Sequence, residues 1–155
     1  MNKIILILII SFSLGFSKIE EGKEVFQSLV VSYNHGIIKA AQKNKFEHLK
    51  EYLTKEIYYR TLVWIESYQD SNLFMDALLV NIKFDDLKLE KYTATLETKE
   101  KWKYRYINTK TKELVKKPQE VTYKLKYYFI LLRDGTWKIN HIKILNEENR
   151  IIGEE

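Results

Sequence analysis

The sequence predicts an α+β domain in which N-terminal helices pack on the concave face of a curved four-stranded antiparallel meander sheet. Three observations carry that expectation. Apolar residues recur at helical spacing to about residue 68, the period then changes to two, and an Asp134-Gly135 pair separates the last two apolar runs. The strongest alternation lies between Tyr92 and Tyr106. There Ala94, Leu96, Thr98, Glu100, Trp102 and Tyr104 join those two tyrosines on one face, and Thr93, Thr95, Glu97, Lys99, Lys101, Lys103 and Arg105 form the other.

The chain opens with MNKIILILIISFSLGFSKIEEG. Lys3 precedes an apolar run from Ile4 to Phe16, and Gly15 and Ser17 are small residues suited to cleavage after Ser17. This is the pattern of a secretory signal peptide at residues 1–17, leaving residues 18–155 as one exported domain, periplasmic or secreted. The run is shorter than the ~20 apolar residues of a comfortable membrane span. An uncleaved N-terminal anchor is the alternative, and only that alternative implies membrane attachment. The chain has no cysteine, which excludes disulfides, thiolate metal sites, a cysteine nucleophile and lipid attachment at the cleavage point.

The first helix is expected from Glu20 to about Asn44, with Phe26, Leu29, Val30, Tyr33, Ile37, Ala40 and Ala41 on its apolar side. Glu20, Glu21 and Glu24 would suit its N-terminal dipole. Gly36 interrupts the pattern and marks a close approach of another element. A short second helix is expected over Phe46–Tyr52, and Thr54 suits the N-cap of a third running to about Tyr68. Strand periodicity then begins with Leu78, Val80, Ile82 and Phe84, before the long strand described above. A polar connection from Asn108 to Gln119 leads to strands over Val121–Leu132 and Trp137–Leu145.

Helices followed by long strands ending in YFILLRDGTWKINHIKIL resemble the nuclear transport factor 2-like (SnoaL-like, cystatin-like cone) superfamily of α+β domains. The resemblance spans nearly all of residues 18–155 and is most specific in the final hairpin, with its Asp-Gly turn and Trp-Lys-Ile. It implies a cone that can hold a ligand. The superfamily includes isomerases, dehydratases, cyclases, ligand binders and interaction domains, so the fold alone leaves the activity open.

Glu100 is the leading candidate for chemistry, because it is a carboxylate in register with an apolar face. If Tyr106 or Ile107 pairs near Glu120 or Val121, Glu100 falls opposite Tyr127. It is then either a general base or acid partnered by Tyr127 or Tyr68, or a structural group bonded to Tyr127 near the rim. Tyr33, Trp64, Tyr68, Thr98, Trp102 and Tyr127 are the ligand-binding candidates beside it, within a wider aromatic set of Tyr58, Tyr92, Tyr104, Tyr106 and Tyr123. His35, His48 and His141 are too scattered for a metal motif, and no cofactor fingerprint is present in the sequence. His48 is expected at the surface, whereas the hairpin leaves the face of His141 open.

On the same pairing, Lys101 faces Lys126 and Lys103 faces Lys124, with Lys99 and Arg105 extending a basic outer face. That suggests an anionic surface or an envelope protein as partner; nucleic acid does not suit an exported domain. Further along, Tyr128, Ile130 and Leu132 make the outer side apolar. The resemblance implies a homodimer contact there, and cover by the segment Asn146–Ile152 is the alternative. The sequence therefore suggests an exported, non-catalytic binding or protein-interaction domain of the cell envelope, using the aromatic cone or the basic face. A small-molecule isomerase or hydro-lyase built on Glu100 is the alternative.

Overall fold

In the computed structural model, residues 2–43 and 45–152 are described, with side chains from residue 22 onward. Two helices, α1 (Asn2–Lys43) and α2 (Lys55–Asp70), precede four strands. The strands are β1 (Leu73–Leu89), β2 (Thr93–Asn108), β3 (Gln119–Leu131) and β4 (Trp137–Ile151). They form one open antiparallel sheet in the order β1-β2-β3-β4. The expected fold class is the observed one. The expected signal segment falls partly on Met1, which lies outside the described residues, and partly on α1 backbone whose side chains also lie outside them.

α1 is longer than its apolar pattern indicated. It is already helical at Asn2, so Glu20, Glu21 and Glu24 do not occupy its first turn, and the dipole argument for them fails. From residue 22 its buried side is Phe26, Val30, Tyr33, Asn34 and Ala40, the stripe of an amphipathic helix. Phe26 packs on Phe129 and Trp137 with ring centroids 4.9 and 5.0 Å away. Among the described residues no helix is long and apolar enough to cross a membrane.

The expected second helix is a single 3-10 turn, Glu47–Glu51, seated against Gly36. A β-carbon at Gly36 would stand 2.8 Å from Leu49 Cδ2, which is why the helix is bare there. His48, expected at the surface, is half-buried at this contact with its Nε2 3.0 Å from the Gly36 carbonyl oxygen. Thr54 does occupy the N-cap of α2, but its hydroxyl makes no capping bond and has no hydrogen-bond partner. The backbone fixes this connection instead. Thr54 N donates to Ile139 O at 3.0 Å, and Ile139 N donates to Tyr52 O at 2.8 Å, clasping the connector to β4.

The strands outrun the apolar alternation at both ends of the sheet. In β1 a register shift between Leu79 and Asn81 separates Leu78 and Val80 from the inner face. Leu78 is therefore 59% exposed, whereas Ile82 and Phe84 are packed against the core. Further shifts at Phe84/Leu87, Lys124/Leu125 and Tyr128/Phe129 bend the sheet around the helices. Tyr92 lies before β2 and is 57% exposed, so it does not belong to the inner face. The final strand continues to Ile151, and its extension from Asn146 pairs with the first half of β3. The segment Asn146–Ile152 thus extends the sheet and does not cover its outer side. At the last hairpin Gly135 takes φ +82°, the left-handed conformation that its turn requires.

Candidate functional site

The pairing of β2 with β3 differs from expectation by four residues. Glu100 lies opposite Tyr123, and Tyr127 lies opposite Leu96. Tyr127 nevertheless reaches along the strand and donates its hydroxyl to Glu100 Oε1 at 2.8 Å. Thr98 Oγ1 donates to the same oxygen at 2.9 Å. Asn34 Nδ2 and Trp102 Nε1 each donate to Oε2 at 3.0 Å. Glu100 is 0% exposed, and four uncharged side chains meet its two oxygens. Asn34 was not among the sequence candidates. Its signal was a polar side chain within the apolar stripe of α1, one helical turn after Val30.

Beside this cluster lies a cavity of about 370 Å³ between the two helices and the inner sheet face. α1 contributes Tyr33, Asn34 and Ile37, and α2 contributes Ile57, Arg60, Thr61 and Trp64. The sheet supplies Met75, Ala77, Glu100, Trp102, Tyr104, Tyr123, Leu125 and Tyr127, with His141, Ile142 and Ile144 from β4. Trp64 is 41% exposed and marks the mouth, where Arg60 is ion-paired to Glu56 at 2.7 Å. Of the ligand-binding candidates, Tyr33, Trp64, Glu100, Trp102 and Tyr127 line the cavity, and Thr98 stands behind as a donor to Glu100. Tyr68 is not among Glu100's donors and does not line the cavity; it stacks on Tyr106 at 5.8 Å. Tyr58 is buried elsewhere in the core.

The rings form a continuous wall. Trp102, Tyr104 and Tyr106 stack successively along β2 at 6.0 and 6.5 Å, because alternate residues of a strand share a face. Tyr33 meets Tyr127 edge to face at 6.2 Å. Burial pushes the phenols of Tyr33, Tyr104 and Tyr127 well above the ordinary tyrosine range, and the negative charge of Glu100 adds to this in all three. Burial likewise raises Tyr123, and pushes Tyr106 up to about 12. The phenols are therefore neutral, and Tyr127 also lies 3.4 Å from Asn34 Oδ1. Among the described residues no cluster of acidic or histidine side chains could hold a metal ion.

The outer face is less basic in effect than in sequence. Lys101 pairs with Glu120 at 2.7 Å, Lys124 and Lys126 both meet Glu97 at 3.2 Å, and Arg105 pairs with Asp76. Lys101 faces Thr122 and Lys103 faces Glu120, so the expected lysine–lysine contacts at those positions are replaced; Lys99 does face Lys124. Tyr128, Ile130 and Leu132 are half-buried within the single chain, and the His141 ring lies 5.5 Å from that of Tyr128. His35 is exposed.

No protein-family model matches the sequence. No curated protein matches it either. Solved structures do. The intermembrane space region of the chloroplast protein ARC6 superposes with a TM-score of 0.66 at 16% identity, covering 79% of this chain and 95% of that one. A conserved protein from Planctomyces limnophilus gives 0.54 at 12% identity, covering 81% and 99%. The chain shares the α+β fold of these two structures. A putative dehydratase of the NTF2-like family from Streptomyces avermitilis superposes more loosely, at TM-score 0.43 and 15% identity over 81% and 99% of the two chains. At these identities the likeness defines the fold alone.

Proposed function

We propose that this chain is an exported, non-catalytic domain of the cell envelope, nuclear transport factor 2-like in fold, that takes a small apolar ligand into its aromatic cone. The observation that carries this reading is the state of Glu100. Among the described residues it is the one acidic side chain lining the cavity, it is fully enclosed, and four donors occupy its oxygens. General acid or base catalysis needs a lone pair or proton within hydrogen-bond reach of the substrate. A substrate approaching this carboxylate must first displace a donor.

The isomerase or hydro-lyase alternative draws support from the cavity and from the Tyr127–Glu100 bond, but it lacks that access. The cavity volume falls within the range of small-molecule sites, about 300–1,000 Å³. Export is supported by the N-terminal sequence, and an envelope setting by the likeness to a region of an intermembrane space. The basic outer face is the lesser candidate for a partner, because Glu97, Glu120 and Asp76 already neutralise much of it.

Titration with the neutral dye N-phenyl-1-naphthylamine tests the reading. Dye fluorescence should rise saturably with the native protein and not with Ala77→Phe, which fills the cavity from its 4%-exposed wall position. Equal dye binding by both proteins, with unchanged circular dichroism, would place the apolar site elsewhere and overturn the reading.

A further inference from the structure

α2 lines the cone with Ile57, Arg60, Thr61 and Trp64, a spacing that puts all four on one face of the helix. Ile57 and Thr61 are buried, and Trp64 is a large ring at the mouth. Arg60 is the residue out of character there. Much of the remaining wall is apolar, with Ile37, Met75, Leu125, Ile142 and Ile144. An arginine in such a place lays its aliphatic stem along apolar surface and keeps its guanidinium in water.

Besides the phenols, the ionisable side chains of the lining are Arg60, Glu100 and His141. Glu100 is fully enclosed, and Asn34, Thr98, Trp102 and Tyr127 already meet its oxygens. The His141 ring lies 5.5 Å from that of Tyr128, whose position alternates with the buried Tyr127 and Phe129. That sets the ring toward the outer side of the sheet. Arg60 is thus the charged group a guest meets on entering. Its present partner is Glu56, four residues earlier on the same helix, and the two side chains are 66% and 70% exposed. Exposed pairs of this kind are weak, and a guanidinium has five donors to share.

Resting on the reading of the cone as a site for an apolar ligand, we propose that this ligand is an amphiphile ending in a carboxylate, with its apolar body in the cone and its head on Arg60 at the mouth. One planar guanidinium fork matches one carboxylate. A phosphate head carries up to two charges and three acceptor oxygens, more than a single arginine satisfies.

Displacement of N-phenyl-1-naphthylamine by decanoate and by decan-1-ol at about pH 8, where a carboxyl is ionised, tests the assignment. The alcohol has the same chain length and no charge. Arg60→Gln should weaken decanoate about tenfold while changing decan-1-ol by less than about twofold. His141→Gln should bind both as the native chain does. Arg60 is exposed, so its variant should fold, and unchanged circular dichroism checks this. Equal effects of Arg60→Gln on the two probes would overturn the proposal. So would loss of decanoate affinity in His141→Gln alone, or failure of decanoate to displace dye bound by the native chain. In each of these cases saturable dye binding still leaves the cone as a site for neutral ligands. No saturable dye binding by the native chain would remove the cone reading as well.

Discussion

Tyr127 gives the most direct test of the buried carboxylate at the scale of one residue. Tyr127→Phe keeps the ring and removes one donor from Glu100, leaving a buried charged oxygen short of a partner. A hydrogen bond to a charged group contributes about 1.5–3 kcal/mol, so urea unfolding should show a loss of that order. A loss below about 0.5 kcal/mol would mean that the cluster does not stabilise the fold as a unit. Glu100 was legible in the sequence because a period of two places it on the apolar side of β2, where Leu96, Thr98 and Trp102 are buried with it. Its partners were less legible. Tyr127 was identified through a pairing that proved to be wrong, and its long side chain bridges the difference. Asn34 sits far away in sequence, on a helix whose contact with the sheet no local pattern specifies.

Contacts between elements set the next scale, and Gly36 is the sharpest of them. Alanine would favour the helix by about 1 kcal/mol. Its β-carbon, however, would press on Leu49, which is fully buried. Overpacking of this kind costs about 1–3 kcal/mol, so Gly36→Ala should lower the unfolding midpoint. A higher midpoint would show that the 3-10 turn yields freely.

The outer sheet face makes a different prediction. Hydrogen bonds from Lys126 and Lys124 hold the Glu97 carboxyl below its usual range. A depressed folded-state value means that the stabilisation is present above the unfolded-state value, near 4.3, and is lost as pH falls through the folded one. Native protein should therefore lose stability on acidification below about pH 4.3 more steeply than Glu97→Gln. Parallel acid profiles would show that these ion pairs contribute nothing. The strands themselves were evident from alternation, but the β2–β3 register was not. It depends on the connection after Asn108, where a bridge between Ile107 and Leu114 and turn bonds to Asn108 fix how the chain returns.

Across the whole molecule, the raised tyrosines couple cone integrity to alkaline pH. Tyr33, Tyr104, Tyr106, Tyr123 and Tyr127 all lie above the ordinary phenol value when folded, Tyr106 at about 12. Neutral phenols favour the native state, so their contribution is complete below about pH 10 and declines as pH rises beyond it. Part of the phenolate absorbance should therefore appear only together with loss of far-UV dichroism. A complete phenolate rise before any loss of structure would mean that the cone admits hydroxide freely.

The backbone clasp between residues 52–54 and Ile139 has one more consequence. β4 is an edge strand, and an edge strand with free amides invites another chain to pair with it. Here the connector to α2 occupies that edge through Leu53 and Ile139, in parallel alignment. A foreign strand could add at that point only by releasing the connector and loosening α2, which forms one wall of the cone. Guarding against fibrous self-association and holding α2 in place thus become one mechanical task, and slow amide exchange at Ile139 is the signature by which its performance can be followed.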